Sequence, residues 1–296
     1  MRKLLFSYIA IFLFTSVCFS QWFRQPFPSN ENLTKVRFVN STTGWVLTGK
    51  SLYKTSDGGT SWVKQDTAVK WGMWSLFPVD TLTAFHSFSL DSLNSPFLGI
   101  RKTTDGGNTW FTVDTAKNFY FSRIRFIDPL TGYAAGDSLG LPVIRKTTDG
   151  GKSWKSIYKI IRHDNPPVSD YFSGLSFITP STGWGVTYLG IVAHTSDSGT
   201  TWKLQDTLGS VPRATNEVIE DVQFASKDSG WAVGGLRGTS LIYRTTNGGK
   251  NWHSLSPQSG SSLQELAVID SRTVYIVGRN YGVNNIAKTT DGGLTW

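Results

Sequence analysis

Three kinds of chemistry can be sought among the residues of this chain: a carboxylate pair for glycoside hydrolysis, histidine or cysteine groups for a metal, and glycine-rich loops for phosphate. Asp164, Asp170, Asp206 and Asp221, with Glu31, Glu217, Glu220 and Glu265, could in principle furnish the acid and the nucleophile or base of a glycosidase. No spacing selects two of them. His86, His163, His194 and His253 occur singly, with no His-x-x-x-His spacing and no cysteine nearby, so no metal centre is expected. The glycine pairs are followed by no helix whose N-terminus could hold an anion, and no cofactor is expected.

Five of the remaining acidic positions, with an asparagine in a sixth equivalent place, follow one rule. Asp57, Asp105, Asp149, Asp197, Asn247 and Asp291 each stand two residues after a threonine and five before a tryptophan: Trp62, Trp110, Trp154, Trp202, Trp252 and Trp296. RKTTDGGNTW (101–110) and RKTTDGGKSW (145–154) are nearly the same ten residues. The gaps between boxes are 48, 44, 48, 50 and 44 residues, a period that marks a repeat architecture. In a hairpin the glycines supply positive φ, the aspartate accepts backbone N–H groups across the turn, and the tryptophan packs on a neighbouring unit. Asn247 keeps an acceptor, and Ser198 replaces only the first glycine. These boxes are thus expected to be structural.

The elements that carry the boxes can be read from a second set of phrases. TTGWVLTG (42–49), TGYAAGD (131–137), STGWGVTYLG (181–190), DSGWAVGG (228–235) and RTVYIVGRNYG (272–282) precede five of the boxes. Before them lie short alternating stretches such as KVRFVN (35–40), SRIRFID (122–128) and EDVQFAS (220–226), which read as half-buried strands. Four strands every 44 to 50 residues, with no clear amphipathic helix, predict an all-β fold: a β-propeller of four-stranded antiparallel blades, six repeats being visible and six or seven blades expected.

The pattern S/T-x-D-x-G-x-T-W resembles the Asp-box, or BNR repeat, of bacterial sialidases and other propellers. With GW-x-V-G in register before it, the chain is most similar to the photosystem II stability/assembly factor-like family over about residues 22–296. That resemblance implies a lumenal or periplasmic assembly factor that binds proteins without catalysis and uses the boxes structurally. Related repeats in secreted proteins of non-photosynthetic bacteria leave the biological process open.

Residues 1–20, MRKLLFSYIAIFLFTSVCFS, combine Arg2 and Lys3 with an apolar run from Leu4 to Phe14, the layout of a secretory signal peptide. The sole cysteine, Cys18, lies inside it, so the mature propeller (21–296) is expected to hold no disulfide. The formal charge of +8 includes Arg2 and Lys3, leaving +6 after the leader, scattered through the repeats. Export and the absence of a concentrated basic patch argue against nucleic acid. A secreted or periplasmic monomer without stable membrane insertion is expected. QWFRQPF (21–27) repeats the strand after a box, Trp22 and Gln25 matching Trp62 and Gln65. It could supply the fourth strand of the sixth blade; alternatively the chain is cut short and a seventh blade follows residue 296.

Function is expected on the variable connections, where a regular scaffold carries its specificity. Trp71, Trp74, Tyr120, Arg162, Tyr171, Arg213, Arg237, Arg279 and Tyr281 fall in or beside them, with His163. This aromatic and arginine mixture suits a protein partner, or a glycan. Lys54, Lys102, Lys146, His194, Arg244 and Lys288, three residues before each acidic position, read as outward strand positions rather than a binding ring. The alternative is a sialidase-like hydrolase, whose mark would be three arginines converging on one anion beside a Tyr–Glu pair. Phe23-Arg24-Gln25-Pro26 only echoes the F/Y-R-I-P phrase of that class.

Overall fold

The computed structural model describes residues 25–66, 72–89, 97–117, 119–160, 169–208, 217–235, 240–255, 262–280 and 283–296. Blade 1 comprises β1 (Leu33–Phe38), β2 (Gly44–Thr48), β3 (Leu52–Thr55) and β4 (Val63–Asp66); blade 2, β5 (Gly72–Pro78), β6 (Ala84–Ser89), β7 (Phe97–Thr103) and β8 (Phe111–Lys117). Blade 3 holds β9 (Phe119–Phe126), β10 (Gly132–Ser138), β11 (Leu141–Thr147) and β12 (Lys155–Lys159); blade 4, β13 (Phe172–Phe177), β14 (Gly183–Thr187), β15 (Ile191–Thr195) and β16 (Lys203–Thr207). Blade 5 holds β17 (Ile219–Phe224), β18 (Gly230–Gly234), β19 (Leu241–Thr245) and β20 (His253–Leu255); blade 6 holds β21 (Ser262–Val268), β22 (Val274–Asn280) and β23 (Val283–Thr289). Each blade is an antiparallel meander, and the all-β propeller expected from the repeat is observed, with six blades. Five blades have four strands and the sixth has three among the described residues.

Local chemistry explains why each meander forms. In the first box the Thr55 hydroxyl donates to Asp57 Oδ1 at 2.7 Å and accepts from the Gly59 amide at 2.9 Å. Asp57 in turn accepts from the Ser61 amide and hydroxyl at 2.9 and 2.6 Å. The Thr–Asp–turn-amide pattern recurs in all six boxes, with Asn247 accepting from the Asn251 amide at 3.0 Å. Ser198 takes the left-handed conformation at φ 59°, so the turn survives the loss of its first glycine. The Ser61, Thr109 and Thr201 hydroxyls, then the amides beside them, hold Asp57, Asp105 and Asp197 down to about 2; Asp149 and Asp291 are lowered the same way.

The glycine of the GW phrase has a steric cause. Phe177 pairs with Gly183 across β13 and β14, and a Cβ at Gly183 would lie 2.4 Å from its ring. Phe38, Phe126 and Phe224 cover Gly44, Gly132 and Gly230 alike.

Blades join by a repeated aromatic contact. The GW-position ring of one blade stacks on the inner-strand phenylalanine of the next: Phe85 on Phe126 at 4.2 Å, Tyr133 on Phe177 at 4.3 Å, Trp184 on Phe224 at 3.7 Å. That phenylalanine meets its own box tryptophan edge-on, as in Phe126–Trp154, Phe177–Trp202 and Phe224–Trp252. Such pairs add about 0.5–1.5 kcal/mol each beyond area burial. Five apolar clusters result, each spanning two consecutive blades from 1/2 to 5/6. Between blades 6 and 1 the described contact is ionic: Lys35 pairs with Glu265, and Arg37 Nη2 lies 3.3 Å from the same oxygen.

The basic residues of the repeat are not simply outward. Lys54, Lys102 and Arg244 donate to the Gly106, Gly150 and Gly292 carbonyls of the next blade's box, each at 2.8 Å, and Lys146 to that of Ser198 at 2.6 Å. Where His194 stands instead, Trp184 Nε1 makes the corresponding bond to the Gly248 carbonyl at 2.9 Å. The strand-alternation reading failed here because the neighbouring blade covers that side of the sheet.

Of the segment expected to close the ring, Trp22 to Arg24 lie outside the described residues. Residues 25–27 form no strand, and Phe27 rests on Tyr53 and Trp62 of blade 1 at 4.9 and 5.7 Å.

Candidate functional site

Antiparallel order sends the box turns and the first turns to one face of the ring. The Gly58, Gly106, Gly150 and Gly248 amides accordingly donate to the Thr42, Leu82, Leu130 and Asp228 carbonyls of their own blades. By the same order, the strand ends that lead into the second turns and into the blade-to-blade connections lie on the opposite face.

On that face the structure brings three of the expected residues together. Trp74 meets Tyr120 edge-on at 5.2 Å, Tyr120 meets Tyr171 at 5.9 Å, and Tyr171 stacks on Tyr188 at 4.9 Å. This ladder crosses blades 2, 3 and 4. Burial first, helped by the nearby Glu220 charge, raises the phenols of Tyr120, to about 12, Tyr171 and Tyr188. Burial also raises Glu220, against the pull of Arg123 and then Lys35. Trp71, Arg162, His163, Arg213, Arg237 and Tyr281 lie outside the described residues, and Arg279 is described only as backbone in β22.

Deeper in the channel the inner strands present charge. Blades 1 and 3 contribute Lys35, Arg37, Arg123 and Arg125; blades 5 and 6 contribute Glu220, Asp221 and Glu265. Arg123 Nη2 donates to the Glu220 carbonyl at 2.8 Å, and its Nε lies 3.9 Å from Asp221 Oδ1. Burial opposes ionisation of Glu265, yet Lys35, Arg37 and Arg123 together hold it below the ordinary carboxylate range. Burial, then the charge of Arg37, brings Arg125 down to about 10. Of the three channel arginines, Arg123 is the one whose charge acts on both Tyr120 and Glu220; it already engages blade 5, and Arg37 already engages Glu265. Arg125 has no carboxylate within ion-pair distance among the described residues, and its guanidinium lies 5.8 Å from the Phe77 ring. It borders a cavity of about 470 Å³ at the box-side end of the channel, lined also by Phe77, Phe126, Phe177, Gln223 and Phe224.

Sequence reading named Glu220, Asp221 and Glu265 only among candidate glycosidase carboxylates, and missed their grouping with the channel cations Lys35, Arg37, Arg123 and Arg125, as well as Tyr188. Their signal was present: basic residues alternate along KVRF and SRIRF, and acidic ones enter the equivalent strands of blades 5 and 6. Among the described residues, no group of three His, Cys, Asp or Glu side chains could hold a metal ion, and no helix is long and apolar enough to cross a membrane.

The family model described as photosynthesis system II assembly factor YCF48 matches residues 162–296, somewhat under half of the chain. Among solved structures, YCF48 bound to a D1 peptide superposes with a TM-score of 0.64 at 18% identity, covering 91% of this chain and 81% of that one. A GH74 xyloglucanase from Xanthomonas campestris gives 0.68 at 12% identity over 89% of this chain but only 44% of the enzyme. The GH74 enzyme of Niastella koreensis gives 0.61 at 14% identity, over 86% and 43%. At such identities the structural likenesses show the fold. No curated protein matches the chain.

Proposed function

We propose that this BNR-repeat, YCF48-like propeller is a secreted or periplasmic, non-enzymatic scaffold that binds a protein partner on the face opposite its boxes. The observation that carries this reading is the ladder Trp74–Tyr120–Tyr171–Tyr188 at the channel mouth beside Arg123 and Glu220. Aromatic and arginine side chains contribute disproportionately to protein interfaces. The peptide bound to YCF48 supports a protein partner in a propeller of this type. A leader at residues 1–20 would deliver the propeller to the envelope.

The second reading, a glycoside hydrolase, draws on the Tyr120, Glu220 and arginine grouping. It is weaker because a sialidase-like site needs arginines free for the substrate carboxylate, and two of the three here are held by the protein itself.

The test is affinity capture from the native envelope with the mature chain, against Tyr120→Ala/Tyr171→Ala as control. A partner lost in the double variant supports the scaffold. Failure to capture one, together with turnover of a sialoside or another glycoside from a panel, would reverse the ranking.

A further inference from the structure

Blade 5 carries the one box whose acidic position is an amide, and Asn247 is followed there by glycine, the one Asn-Gly pair in the chain. In such a pair the glycine nitrogen, with no side chain beside it, can attack the carboxamide carbon of the asparagine. The hazard differs from box to box. Asp57, Asp105, Asp149 and Asp291 also precede glycine. Their carboxyls are held well below the usual carboxylate range, chiefly by the hydroxyls and amides of Ser61, Thr109, Ser153 and Thr295, and stay ionised at neutral pH. An ionised carboxylate offers no leaving group, whereas Asn247 offers ammonia.

The fold both assembles and restrains the reacting atoms. Asn247 is exposed, so water reaches it, while Gly248 is buried. The Gly248 N–H, whose nitrogen is the nucleophile, donates to the Asp228 carbonyl at 2.9 Å. The Gly248 carbonyl accepts from Trp184 Nε1 of blade 4, also at 2.9 Å. The Asn247 carboxamide oxygen accepts from the Thr245 hydroxyl and the Asn251 amide, both at 3.0 Å. A bulkier residue that would slow the attack does not fit at position 248, where φ is 75° and a Cβ would lie 2.7 Å from the Lys227 carbonyl. Blade 5 also lacks the hydroxyl that reaches the second aspartate oxygen elsewhere, as Thr109 reaches Asp105 at 2.5 Å; Asn251 stands in its place.

We propose that Asn247 is a site of spontaneous deamidation, and that the tie from Trp184 across the junction of blades 4 and 5 sets its rate. Once its proton is lost to base, the Gly248 nitrogen bonds to Cγ of Asn247, the Cγ–Nδ2 bond breaks, and ammonia leaves behind a cyclic imide. Water then opens the ring. Cleavage at Cγ gives aspartate, the residue of the other five boxes. Cleavage at the main-chain carbonyl gives an isoaspartyl linkage, which lengthens the backbone by one atom. Either way one water is consumed and one ammonia released. The first product keeps the acceptor for Asn251 and adds charge to it. The second shifts Gly248 away from Asp228 and Trp184 and loosens the junction. The inference is independent of the partner assigned to the connection face.

The test incubates the full chain at mildly alkaline pH and follows the segment around Asn247 by peptide mapping, separating its asparagine, aspartate and isoaspartate forms. A synthetic peptide of residues 240–255 gives the unrestrained rate. Conversion in the folded chain should be measurable but about tenfold slower or more than in the peptide, because it waits on local opening. Trp184→Phe retains a ring to stack on Phe224 and removes the donor. It should raise the folded rate by about threefold to tenfold, the worth of one hydrogen bond. Hydrogen exchange at the Gly248 amide should rise with it, since both reactions need that N–H released. In the wild type, urea below the unfolding transition should raise exchange and conversion together, a comparison that stands even if Trp184→Phe does not fold. A folded chain that converts as fast as the peptide, or not at all, would overturn the proposal. Conversion that stays unchanged in folded Trp184→Phe, or that does not follow Gly248 exchange in urea, would overturn it equally.

Discussion

Lys146 in blade 3 donates to the backbone carbonyl of Ser198 in blade 4 at 2.6 Å, a carbonyl that the Tyr133 hydroxyl also reaches at 2.6 Å. A side chain that sequence alternation places at the surface is therefore a tie between blades. Replacing it should act on stability before it acts on binding.

Lys146→Met keeps most of the aliphatic stem over Tyr133 and removes the donor. A charge-assisted hydrogen bond contributes about 1.5–3 kcal/mol, discounted here toward the lower figure because Tyr133 retains its own bond. A fall in melting temperature of about 2–4 °C is expected in a thermal melt, with partner capture unchanged. Loss of capture at an unchanged melting temperature would instead assign these cations to a binding ring.

Asp105→Ala should lower the melting temperature at neutral pH, while Asp105→Asn should lower it much less, because Asn247 performs the same role in blade 5. The pH dependence has a definite sign. Asp105 is held down to about 2, below an unfolded value of about 3.9, so its contribution is complete above about pH 4 and is lost as pH falls toward 2. The difference between wild type and Asp105→Ala should therefore shrink over that acid range. A constant difference would show that packing, rather than the carboxylate, holds the turn.

Gly183→Ala places a Cβ 2.4 Å from the Phe177 ring, whereas a Cβ at Gly49 meets nothing within 4 Å. Overpacking of this kind costs about 1–3 kcal/mol. Denaturant melts should show that loss for Gly183→Ala and almost none for Gly49→Ala. Equal effects would mean that the backbone, and not the ring, demands glycine in the GW phrase.

Tyr120 is raised to about 12 against an unfolded value near 10, so the neutral phenol is the form the fold favours. This contribution is intact below about pH 10 and is lost as pH rises through 12. Ultraviolet titration of wild type against Tyr120→Phe should assign one late-ionising phenol to this position. Ionisation near 10 in the folded protein would place the ring in solvent and weaken the ladder as a preformed surface.

The repeat was legible because Asp, Gly-Gly and Trp each answer a local demand of one hairpin, and local demands survive in a linear string. The channel was not legible for the opposite reason. Arg123 and Asp221 belong to strands nearly one hundred residues apart, and the alternation of each strand says only that one side is polar. Ring geometry decides that this side faces other strands rather than bulk water. Similarly, Lys54, Lys102 and Arg244 read as tolerated surface residues because their carbonyl partners sit about fifty residues further on. Trp74, Tyr120 and Tyr171 were found as members of variable connections, but their contact with one another, and with Tyr188, needed the fold.

The ties made by Lys54, Lys102, Lys146, Trp184 and Arg244 point the same way along the chain, from a basic or aromatic donor to a box carbonyl in the unit that follows. A tandem duplication that begins inside one blade and ends at the matching place in the next would copy a whole junction, donor and acceptor together. Growth of such a protein by recombination then has no need for its breakpoints to fall between blades, and blade number can change by one without a single new contact having to be invented.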